Sequence, residues 1–121
     1  MQPKLSKLQK TIILYIAIML KSNSKRYIKR TDITKGLMDK LDKKNKEVFR
    51  VTLSVSINSL IRRGLLSKYK TNIGLTKEGK ETAKLIREQI IEEYGKINWE
   101  VIKIFCSGIY DKQYKYKALL S

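Results

Sequence analysis

The sequence predicts a mainly α-helical chain with one small β-hairpin, an α+β fold. Three observations lead there. Apolar residues recur at helical spacing over most of the chain. Residues 65–75 instead form two short β-prone pieces around a polar turn. The one proline, Pro3, stands at the start, so no later position forbids a helix outright. At 121 residues the chain holds one domain with an appendage at most, long enough to bury a core without disulfides or metal.

Residues 5–22 read as the first helix. Leu5, Leu8, Ile12, Ile16 and Met19 mark one face, while Ile13, Leu14, Ala17, Ile18 and Leu20 fill the others. A helix apolar all round is buried all round. One side therefore faces the domain core, and the other a partner subunit or the C-terminal helices. Residues 23–30 are polar and basic, with Tyr27 and Ile28 as a possible short strand. Thr31 or Asp32 caps a second helix, about 32–41, whose buried stripe is Ile33, Leu37 and Leu41. Lys43, Lys44 and Asn45 form a turn, with Asn45 as the next cap.

Residues 46–63 fit two templates. Val51, Leu53, Val55 and Ile57 alternate with Thr52, Ser54, Ser56 and Asn58, as in a strand. Phe49, Leu53, Ile57, Leu60 and Ile61 also share one helical face. Length favours the helix, because no turn signal comes before Gly64. Gly64 then sits where a glycine ends a helix in a left-handed turn. Strands at 65–70 and 73–75 flank a turn at Thr71 and Asn72, where Asn tolerates positive φ. Thr76 caps a fourth helix running to Tyr94 and ended by Gly95, with Glu78 in its first turn. Asn98 caps a fifth, ending near Cys106. The tail 108–121 carries Tyr110, Tyr114 and Tyr116 among lysines and reads as a short helix or a frayed end.

Charge gives the functional direction. Twenty-seven Lys and Arg against eleven Asp and Glu leave +16. Residues 1–72 hold 18 basic and 4 acidic side chains, a balance of +14; residues 73–121 hold 9 and 7, a balance of +2. A field that large and one-signed suits a polyanion, nucleic acid before an anionic membrane surface. There is no histidine and one cysteine, Cys106. That excludes an intrachain disulfide, a cysteine-based zinc site and the commonest general base. Asp32, Asp39, Asp42 and Glu47 lie scattered in the basic half at spacings that make no metal site. No enzymatic activity, cofactor or metal is expected. Lysines before the apolar run 11–20 imitate a secretory signal, but Lys21 interrupts the cleavage region and the run is too short to span a bilayer. A cytoplasmic protein without membrane contact is expected.

The stretch TLSVSINSLIRRGLLSKYKTNIGLTKEG, residues 52–79, resembles the core of winged helix-turn-helix regulators, most of all the small archaeal and bacterial MarR-like and PadR-like families. The pieces that carry the resemblance are a helix ending in Arg62, Arg63, Gly64, Leu65 and Leu66, a basic hairpin, and Leu75, Thr76, Lys77, Glu78 and Gly79 opening the next helix. It covers roughly residues 8–90. It implies a winged helix-turn-helix domain at 1–94 with a C-terminal helical extension at 95–121 for dimerisation or packing. It further implies a dimeric regulator of transcription that binds double-stranded DNA.

On this reading the helix at about 46–63 enters the major groove. Thr52, Ser54, Val55 and Asn58 match its groove-facing positions, and Arg62 and Arg63 match positions nearer the backbone. Independently of the resemblance, Thr52, Ser54, Asn58, Ser59 and Arg62 make a small polar face of the kind a groove about 12 Å wide admits. Asn58 suits a paired contact to adenine, Arg62 a guanine or phosphate, and Val55 a thymine methyl. The face is richer in Ser than the family's usual Arg and Gln, which implies modest direct readout. The hairpin at about 66–75 would be the wing, with Lys68, Tyr69, Lys70, Thr71 and Asn72 on the minor groove or flanking phosphates. Edge lysines also protect against strand pairing. Lys29, Arg30 and Thr31, beside Lys25 and Arg26, suit phosphate contacts, as does Lys46 beside Lys43, Lys44 and Arg50.

Ala83, Ile86, Ile90, Tyr94, Ile97, Val101 and Ile104 follow a three-four spacing, a helix-pairing seam. Leu14, Ile18, Ile90, Tyr94, Ile97, Val101 and Ile104 are the candidate dimerisation residues. Packing on the first helix of the same chain is the other use of that seam. Two further functions stay open: an architectural protein that coats DNA with little specificity, and a winged-helix scaffold for protein or RNA. The residues define no effector pocket, although Tyr94 and Trp99 are candidates to line one.

Overall fold

The computed structural model describes residues 4–41 and 46–107, together with the backbone but not the side chain of Lys46. The order is α1 (Lys7–Ser22), β1 (Ile28–Lys29), α2 (Arg30–Leu41), α3 (Lys46–Arg62), β2 (Leu66–Tyr69), β3 (Asn72–Leu75), α4 (Lys77–Tyr94) and α5 (Trp99–Ser107). The fold is mainly helical with a small antiparallel sheet, ordered β1-β3-β2. Residues 46–62 are a helix, so the strand alternative fails there. The expected turn and cap at Lys43, Lys44 and Asn45, and the tail 108–121, lie outside the described residues.

α1 starts at Lys7 rather than residue 5, because Ser6 and Gln9 close a capping box. The Ser6 hydroxyl accepts from the Gln9 amide at 3.1 Å, and the Gln9 side chain accepts from the Ser6 amide at 3.0 Å. Six consecutive residues, 11–16, are buried. That is possible because α2, α3, α4, α5 and β3 all touch α1. Buried Thr11 donates to the Lys7 carbonyl at 2.8 Å, so its hydroxyl is not stranded. Each fully buried isoleucine contributes about 1.5–3 kcal/mol, which makes α1 the axis of the fold. Tyr15 stacks at a tilt on Trp99, ring centroids 5.6 Å apart. Burial first, then the carboxylates of Asp32 and Asp39, raise its pKa above the ordinary tyrosine value.

Three further boundaries differ from expectation. The first strand is Ile28–Lys29, one residue later than Tyr27 and Ile28. α2 then begins at Arg30, so neither Thr31 nor Asp32 is its cap. The cause lies in the hairpin, where the Thr71 carbonyl accepts from the Arg30 amide at 3.0 Å and takes up a donor that a cap would otherwise satisfy. Finally, the hairpin turns at Lys70 and Thr71, not at Thr71 and Asn72. Tyr69 pairs with Asn72, and Lys70 takes the positive φ of 56°. Asn72 also pairs with Lys29, so it is held from both sides in the central strand.

The end of α3 and the ends of α4 follow the sequence closely, as does the start of α5. Gly64 has φ 79°, donates to the Ile61 carbonyl at 3.1 Å, and lets Leu65 donate to the Leu60 carbonyl at 3.0 Å. This double closure satisfies two terminal carbonyls, and Leu60 and Leu65 are both buried. Thr76 caps α4, accepting from the Gly79 amide at 3.0 Å, and Gly95 ends it in a left-handed conformation. A side chain at Gly79 would collide with the Leu65 carbonyl, so the glycine permits the close approach of α4 to the end of α3. Asn98 caps α5 through the Val101 amide at 2.8 Å.

α5 joins the common core. Val101, Ile102 and Phe105 are buried in the same cluster as Ile12, Ile16, Leu53 and Ile90. Of the candidate dimerisation residues, Leu14, Ile90, Tyr94 and Val101 are buried within the chain, while Ile18, Ile97 and Ile104 stay half-buried. The apolar seam of α4 and α5 is therefore used in large part against α1.

Candidate nucleic-acid interface

α3 has two unlike sides. Phe49, Leu53, Ile57 and Leu60 face the core. Arg50, Val51, Thr52, Val55, Asn58 and Arg62 are exposed, and Ser54 and Ser59 are half-buried at the margins. Val48, Val51 and Val55 are 60%, 63% and 61% exposed. Only Val55 of these three is a candidate from sequence. The spacing i, i+3, i+7 opposite the Phe49 stripe is the signal that marks the other two.

Several of the expected contact residues are engaged within the protein. One terminal nitrogen of Arg30 donates to the Ser54 carbonyl and hydroxyl, each at 3.1 Å, and to Asn58 Oδ1 at 2.9 Å. Arg30 thus braces α3 from the first turn of α2, a role sequence reasoning missed. Its remaining N–H groups give it donors for an anion. Thr52 donates to the Val48 carbonyl of its own helix at 3.0 Å. Ser59 accepts from the Gln9 side chain at 3.4 Å, and Arg63 donates to the Lys4 carbonyl at 3.0 Å. Both are tied to the start of α1. Val55, Asn58 and Arg62 are exposed along the outer side of the helix, and Arg50 lies near Glu47 at 3.9 Å in a solvent-exposed pair.

The hairpin sits beside α2 and α3. Lys68, Tyr69, Lys70 and Thr71 are exposed, and Asn72 is half-buried. Tyr69 stacks on Tyr27 with centroids 5.8 Å apart, and the Lys70 ammonium lies 5.6 Å from the Tyr69 ring. The hydrogen bond from the Arg30 backbone amide to the Thr71 carbonyl ties the hairpin tip to α2.

These elements enclose a groove of about 590 Å³. Its lining brings together Lys29, Arg30, Lys35, Arg50, Lys68 and Lys70, with Thr31, Thr34, Thr71, Ser54 and Met38, and among the described residues no carboxylate lines it. Three of the four expected phosphate residues meet there; Lys46 starts α3, and its side chain is not described. Lys35 is an addition, one turn along α2 from Thr31. Lys25 and Arg26 lie elsewhere, in a depression with Lys21 and Lys80. Six cations around one groove, stiffened by the Arg30 bridges, make a fixed positive surface suited to a chain of phosphates.

Among the described residues, no group of three or more His, Cys, Asp or Glu is placed to hold a metal. No described helix is long and apolar enough to cross a membrane. Comparison with known proteins gave no match of the chain to a family model, a curated protein or a solved structure.

Proposed function

We propose that the chain is a winged helix-turn-helix protein that binds double-stranded DNA and regulates transcription as a dimer. α3 enters the major groove with Val55, Asn58 and Arg62 foremost. The β2–β3 hairpin is the wing, laying Lys68, Lys70 and Thr71 on flanking phosphates or the minor groove. One observation carries the reading: the six-cation groove opens beside the exposed face of α3. A cationic cleft next to an exposed helix face complements a duplex groove bordered by two phosphate backbones. Self-association is assigned to the surface of α1, α4 and α5, where Ile18, Ile97 and Ile104 stay partly open.

A second reading is favoured by one finding. Thr52 donates its hydroxyl to its own helix, and Ser54 and Ser59, both half-buried, each accept a hydrogen bond within the protein, which leaves fewer free tips to read base edges. An architectural protein that coats DNA needs no more than that. Selection of binding sites from a random duplex pool at about 0.15 M salt separates the two. A regulator enriches a two-fold motif. Recovery of duplexes without a common motif supports the architectural protein, and preference for RNA over duplex DNA contradicts both.

A further inference from the structure

The outer face of α3 carries an apolar ridge that the core leaves exposed. Val48, Val51 and Val55 stand in one line along the helix, each about 60% exposed. Single exposed apolar residues need no explanation. Three in line on a helix bordered by Arg50, Arg62 and the cationic groove do, because β-branched residues lower helix propensity at solvent-facing positions. Beside the ridge stands Asn58. Its Oδ1 accepts from Arg30 at 2.9 Å, which turns the amide nitrogen outward as a donor.

Methyl groups beside an N–H donor complement one base edge in particular. In the major groove thymine offers a C5-methyl and the O4 acceptor, whereas cytosine offers an N4 donor and no methyl. We propose that α3 reads thymine through this pairing. The ridge of Val48, Val51 and Val55 covers C5-methyl groups, and the Asn58 amide donates to O4 or to a neighbouring adenine N7. The preferred ligand is then A·T-rich duplex DNA. This rests on the DNA-binding reading above. Charge favours DNA over a second copy of the chain: a symmetric contact through α3 would oppose its arginines to their own counterparts, while phosphates neutralise them.

The test uses two duplexes of alternating A·T pairs, one with deoxyuridine in place of every thymidine. The exchange removes the methyl groups and keeps every hydrogen-bonding group. Fluorescence anisotropy at about 0.15 M salt should show tighter binding to the thymine duplex, by about fourfold for each methyl covered. The triple variant Val48→Ser, Val51→Ser, Val55→Ser removes the methyl groups of the ridge at exposed positions. It should melt with the wild type and bind both duplexes equally. Equal wild-type affinity for the two duplexes overturns the proposal and leaves DNA binding intact. So does a thymine preference that survives in the variant. A variant that sediments differently, with an unchanged ratio between duplexes, makes the ridge a contact between copies and also overturns it. Failure to bind either duplex overturns this proposal and the DNA-binding reading together.

Discussion

α1 and α3 have similar lengths, 16 and 17 residues, and both are rich in branched aliphatic residues. They serve the molecule in opposite ways. α1 buries six residues in succession because protein surrounds it. α3 buries one stripe and holds three valines toward solvent. Apolar content alone therefore does not say where a helix lies; the number of neighbouring elements does. In α1 the apolar side chains stabilise the fold on every side. In α3 one stripe does so, and the opposite stripe is turned outward.

The largest expected effect breaks α1. Ile16→Ala empties a fully buried site and should cost about 2–5 kcal/mol, lowering the melting midpoint by about 10 °C or more in a domain of this size. Val55→Ala on α3 should move stability by no more than about 0.5 kcal/mol, read in the same thermal melt. If the two variants melted alike, the contrast between the helices would be wrong.

Next comes the charge that borders α3. Lys68→Gln with Lys70→Gln should leave melting unchanged. It should weaken duplex binding by about fivefold for each phosphate no longer neutralised at 0.15 M salt. The slope of log affinity against log salt should become shallower by about one for each such phosphate. A smaller effect is expected at the brace. Arg30→Lys keeps the charge but cannot span Ser54 and Asn58 in the same way. We expect a decrease of about 1 kcal/mol in stability, a salt slope near the wild-type value, and weaker discrimination between sequences, read by competition between duplexes.

The helix ends are legible in the sequence because single residues dictate them. Gly64, Thr76, Gly95 and Asn98 each do what their chemistry implies. The period-two pattern at residues 51–57 is ambiguous for a physical reason. Val51 and Val55 belong to the exposed line of a helix, and Leu53 and Ile57 to its buried line. Two helical stripes interleaved this way imitate a strand. What cannot be read is long-range. The start of α2 depends on the Thr71 carbonyl, 41 positions away from Arg30. The bracing role of Arg30 depends on Ser54 and Asn58 across a helix packing. Local patterns carry neither. The seam from Ala83 to Ile104 is visible in its periodicity, but which surface it meets is a matter of tertiary placement, and most of it meets α1.

On the function proposed above, the exposed side of α3 and the hairpin tip together meet duplex DNA. The most direct measurement is an NMR titration of isotope-labelled protein with an A·T-rich duplex. Shifts are expected at Val48, Val51, Val55, Asn58 and Arg62 and at residues 68–71, with the centre of α1 and all of α5 undisturbed. Shifts confined to α4 and α5, or none at all with excess duplex, would contradict that function.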